Sequence, residues 1–173
     1  MIDMNEKINY RKASGKIYAA EVEQRQNNGG AMILQGYAAI YNSRTDLGQF
    51  DEVILSGAFN SADTSDARFL VDHGGIPLGR TSAGTMQLEA DAKGLKYTVQ
   101  LPETARAVEL YEAIRRGDLS QSSFAFTIGA EDWKTENGRR VRYIEAINLV
   151  VDASVVTFPA YPETSVEAFA LAS

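Results

Sequence analysis

The chain has 173 residues, 45% of them apolar, which suits one domain with its own core better than two small ones. It has no cysteine, which excludes disulfides, a thiolate nucleophile and a zinc finger. A net charge of −6 without any Lys/Arg block disfavours electrostatic capture of nucleic acid, and a single histidine leaves few ligands for a transition metal. An all-carboxylate Mg²⁺ or Ca²⁺ site stays open, but no EF-hand-like spacing of acids is present and no cofactor is expected. No apolar run reaches the roughly 18 residues that would predict a membrane span. The polar start, MIDMNEKINYRKAS, lacks the apolar core of a secretion signal, so an intracellular protein is expected.

In chain order, residues 1–14 read as a flexible lead before a single body spanning residues 15–162. Lys16–Gln24 and Ala31–Tyr41 read as strands, with the hairpin punctuation Asn27-Asn28-Gly29-Gly30 between them. A short helix is conceivable over Ser56–Ala62. Met86–Asp91 and Leu95–Leu101 make a second strand pair around Ala92-Lys93-Gly94. One helix is well marked over Glu103–Arg116, where Val108, Tyr111 and Ile114 form a stripe, Glu112 and Arg116 stand at i,i+4, and Gly117 is a natural stop. Ser122–Ala130 and Arg139–Ile147 form a third pair closed by Asn137-Gly138. A last run, Asn148–Phe158, ends at Pro159, and residues 163–173 read as a flexible tail. The sum is a β-rich α+β domain, a curled sheet or β-barrel with one or two flanking helices.

Three residues could carry chemistry. His73 follows the apolar run Arg68-Phe69-Leu70-Val71 and precedes Gly74-Gly75, at a strand end where a proton shuttle could reach substrate. It could equally be a loop histidine without a role. Ser123 sits in Ser120-Gln121-Ser122-Ser123-Phe124-Ala125-Phe126; on a strand it shares a face with small Ala125 and Thr127, opposite Phe124, Phe126 and Ile128. A serine is inert until a base takes its proton, and a plain serine-rich edge is the alternative. Asp152 breaks the apolar run Leu149–Val156, where an ionised carboxylate is costly unless paired. Capping a turn, or pairing with one of the 17 Lys and Arg residues, would explain it too. An acid orienting a histidine that deprotonates a serine is triad logic, and chain order does not matter to it. An α/β-hydrolase is disfavoured because no G-x-S-x-G elbow occurs.

At these same positions the chain resembles the prohead proteases of tailed phages, relatives of the herpesvirus assemblins. The likeness runs from about Gln35 to Pro162. It is carried by Gly36–Asn42 and Ser56-Gly57-Ala58-Phe59, and by His73 with Pro77-Leu78-Gly79-Arg80-Thr81. It continues through Gly117–Phe126, whose register selects Ser123 over Ser120 and Ser122, and through Asp152–Pro162. Two departures stand out: Asp152 replaces the usual glutamate, and Asp72 precedes the histidine where the family has an acid after it.

The resemblance implies an assemblin-like fold and a serine endopeptidase with Ser123 as nucleophile, His73 as base and Asp152 as orienting acid. It implies action in the host cytoplasm inside the immature capsid. The implied substrate is a scaffold protein or a scaffold-like segment of the major capsid protein, and then the enzyme's own chain. Apart from the resemblance, the residues after about Pro162, which have no assignable strand partner, are expected to be partly removed by self-cleavage. No nucleic acid and no membrane are implied as partners, and a homodimer through the Glu103–Arg116 helix is an expectation of the same kind. Arg80 is a candidate for a supporting role, or else for a surface salt bridge. The alternative is a catalytically silent virion structural or scaffolding module of the same fold.

Overall fold

The computed structural model describes residues 7–21 and 31–157. Its centre is a long antiparallel hairpin of β9 (Gln121–Glu136) and β10 (Arg139–Val156). Asn137 and Gly138 join the two strands with φ of 51° and 78°, the mirror-image turn whose twist matches that of the strands. The expected break at Asn148 does not occur. Several bulges between Ile144 and Asp152 bend β10 and let it run on as one strand.

On its far edge β10 pairs in parallel with two short strands, β4 (Asp51–Ile54) and β5 (Arg68–Val71). β3 (Arg44–Asp46) pairs with β4, and β6 (Gly74–Arg80) with β5. On the other side of β9 lies β1 (Asn9–Glu21), which begins inside the stretch read from sequence as a lead. β1 turns a corner: Asn9–Ala13 and, beyond a bulge, Lys16 pair with β9, and Ile17–Glu21 pair with β2 (Met32–Ile40). β8 (Gly94–Gln100) and β7 (Met86–Ala90) then complete the path β3-β4-β10-β9-β1-β2-β8-β7. The ends of that path do not meet. The sheet is curled, not closed into a barrel. The expected turn at 27–30 and the tail at 163–173 lie outside the described residues.

The corner in β1 brings β8 over β5 and β9, and the core fills the space between. Tyr97 of β8 packs on Phe69 of β5 at 5.4 Å between rings, and its hydroxyl meets Ser122 of β9 at 2.8 Å. Gly36 of β2 is the residue that makes this possible: a Cβ there would lie 2.4 Å from the Tyr97 hydroxyl oxygen. Phe124 and Phe126 stack at 4.7 Å, and Phe124 also meets Phe59.

α1 (Ala105–Arg116) is the one helix among the described residues, capped by the Thr104 hydroxyl and ended by Gly117 at φ 84°. Its buried stripe is Ala107, Leu110 and Ile114, whereas Val108 is exposed. The sequence offers apolar residues on more than one face, and packing selects the one whose small Ala107 allows close approach. Glu112 pairs with Arg115, not Arg116. Residues 55–62 form successive four-residue turns, Leu55 to Ala58, Gly57 to Asn60 and Phe59 to Ala62, so the short helix considered there is not formed. No helix among the described residues is long and apolar enough to cross a membrane.

Candidate active site

Ser123, His73 and Asp152 come from β9, from the β5–β6 turn and from β10, and the structure brings all three together. β10 is the common support. It pairs with β9 on one side, placing Ser154 opposite Ser123, and with β5 on the other, placing Asp152 opposite Arg68 and Val155 opposite Val71.

β5 and β6 are joined by Asp72 and His73 alone, both left-handed at φ 50° and 57°. Two consecutive positive φ values at non-glycine residues are uncommon and hold only when the surroundings impose them. Here they do. The Asp72 backbone N–H donates to the Val155 carbonyl at 2.8 Å. Its carboxylate accepts from the Thr157 N–H at 2.8 Å and from the Thr157 hydroxyl at 2.7 Å. The turn is therefore clamped to the end of β10, and the imidazole is aimed inward.

His73 Nδ1 lies 2.8 Å from Asp152 Oδ1, and Nε2 lies 2.6 Å from Ser123 Oγ. A carboxylate can only accept, so Nδ1 carries the proton. Nε2 then presents its lone pair to the serine hydroxyl. Asp152 is 3% exposed, and the Ser154 hydroxyl donates to the same Oδ1 at 2.7 Å. Neither lysine nor arginine pairs with Asp152 among the described residues, so the alternative of a structural ion pair does not apply.

Arg80, considered for a supporting role, instead makes an exposed ion pair with Asp66. Hydrogen bonds from Arg80 and Ser82 hold the Asp66 carboxyl well below the usual carboxylate range. Sequence reasoning missed Ser154 and the Asp72–Thr157 clamp. The signal for Ser154 was its place two residues after Asp152, which on a strand means the same face. The small residues that share a face with Ser123 do not open space around it. Ser123, Ala125 and Thr127 are instead all buried, because β9 is a central strand covered on both faces.

The arrangement can move a proton from a hydroxyl to an imidazole that a carboxylate holds in one tautomer. A family model described as caudovirus prohead serine protease matches residues 19–172. No curated protein matches the chain. Among solved structures, the bacteriophage T4 capsid assembly protease, gp21, is similar at a TM-score of 0.50 and 11% sequence identity, covering 90% of this chain and 99% of that one. At that identity the likeness is one of fold.

Proposed function

The chain belongs to the caudovirus prohead serine protease family, and from that premise we propose that it is a serine endopeptidase of capsid maturation using Ser123, His73 and Asp152. The observation that carries the reading is the unbroken hydrogen-bonded path from Ser123 Oγ through the imidazole to the buried Asp152 carboxylate.

In the first half-reaction His73 Nε2 takes the Ser123 proton as Oγ attacks the scissile carbonyl carbon. The imidazolium then gives that proton to the departing amine, the C–N bond breaks, and an acyl-enzyme remains. In the second, Nε2 takes a proton from water, the resulting hydroxide attacks the ester, and the proton returns to Oγ as the acid leaves. Asp152 keeps Nδ1–H in place throughout and stabilises the imidazolium. Ser154 holds the carboxylate in that orientation.

The substrate class is the scaffold protein or a scaffold-like segment of the major capsid protein, cut inside the prohead in the host cytoplasm, with the enzyme's own chain as a further substrate. Confinement with the substrate then supplies the timing.

The test is a paired incubation of wild type and Ser123→Ala with the scaffold and capsid proteins encoded beside it, followed by intact mass. Discrete fragments from the wild type and none from the variant are expected. Identical behaviour of the two at high concentration would reject the proposal in favour of a silent structural module.

A further inference from the structure

Immediately after His73 the β5–β6 ladder is broken. Val71 pairs with Gly74 and Phe69 with Gly79, so four residues of β6, Gly75 to Leu78, stand against the single Leu70. This bulge pushes Ile76 out to 76% exposure beside the histidine turn. It also needs glycine at its root. Gly75 has φ 78°, and a Cβ there would meet the Arg106 guanidinium nitrogens at 2.8 and 2.9 Å. The guanidinium therefore turns the edge carrying its two terminal nitrogens toward the backbone two residues beyond His73.

Arg106 is set there by a rigid element. It occupies the first turn of α1, which is anchored through the adjacent Ala107 and through Leu110 and Ile114. Its charge is unspent. Arg44, Arg68, Arg80, Arg115, Arg116, Arg139 and Arg142 each meet a carboxylate, and Arg140 lies over the Trp133 ring. Arg106 makes no ion pair among the described residues, although Glu103 and Glu109 lie three positions to either side of it. The first turn of α1 contains no acidic residue, so the positive end of the helix adds to the same local field. In a chain of net charge −6, this places a cation at the edge of the candidate active site.

A planar fork of unspent N–H donors fits a carboxylate in two parallel hydrogen bonds, a match that a neutral amide meets poorly. We propose that Arg106 is a specificity-determining residue, binding an acidic side chain of the substrate close to the scissile bond. The proposal deepens the protease reading and rests on it. Ile76, beside it on the bulge, gives the bound segment an apolar neighbour.

The experiment uses peptides spanning the cleavage sites mapped from scaffold or capsid digestion. Each Glu or Asp within about four residues of the scissile bond is replaced in turn by its amide. For the wild type, one such replacement lowers kcat/KM by on the order of tenfold, the usual worth of a charge-assisted hydrogen bond. In Arg106→Gln that discrimination disappears. In Arg106→Glu, a peptide with Lys at the same position is cut better than its Glu parent, a gain that misfolding cannot produce. A wild type indifferent to every replacement, sites with no acid in reach, or an Arg106→Gln enzyme that still discriminates would each overturn the inference. Cleavage that persists in Ser123→Ala overturns the underlying protease reading instead, and so is told apart from a flat acid profile in Ser123-dependent cleavage.

Discussion

An ionised carboxylate in the middle of a β-strand is stable only when donors close on it, and Asp152 receives two, from His73 and Ser154. The conflict between Asp152 and its apolar run was visible in the sequence, and the structure places that carboxylate beside His73. What the sequence could not show was the partner. His73 is 79 positions away, and only the parallel pairing of β5 with β10 brings the two together. Ser154 was hidden for a different reason, because a buried serine in a run of small and branched residues looks like ordinary packing. Its hydroxyl has a specific job, so we expect Ser154→Ala to lower kcat by about tenfold with KM nearly unchanged, the effect of removing one donor from a buried charge. Steady-state kinetics on a mapped peptide check this, and an unchanged kcat would show that His73 alone orients the acid.

At the scale of elements, what was legible was what carries its own local chemistry. The β7–β8 and β9–β10 pairs announce themselves through Ala92-Lys93-Gly94 and Asn137-Gly138, and α1 through its spacing and Gly117. The short strands β3, β4 and β6 did not, since three to seven residues with charges, glycine or proline become strands only when a long neighbour offers an edge. The β5–β6 turn belongs to this class. Its backbone is held by Asp72 gripping Thr157, so the proposed base His73 is positioned by an element outside its own hairpin. Asp72→Gly keeps access to the left-handed backbone but removes the clamp. We expect kcat to fall roughly ten- to a hundredfold, in line with the sensitivity of proton transfer to small displacements, while circular dichroism stays native. Full activity in that variant would mean that the turn is fixed by its backbone pairing alone.

For the whole molecule, a curled sheet was foreseen, and its strand order was not. β1 spans both halves, and no local pattern says that one strand will leave β9 for β2 at Lys16. That corner folds β8 over the back of β9 and sets Tyr97 against Ser122, next to the nucleophile candidate. The result is a Ser123 with 0% exposure, on a strand paired on both sides. The central claim is that Ser123 is the residue made nucleophilic by His73. It is tested most directly by reacting the protein with a fluorophosphonate and locating the adduct by peptide mass mapping. One adduct at Ser123, lost in His73→Ala, is the predicted result. An adduct at Ser122 or Ser154, or labelling of Ser123 that does not depend on His73, would contradict it.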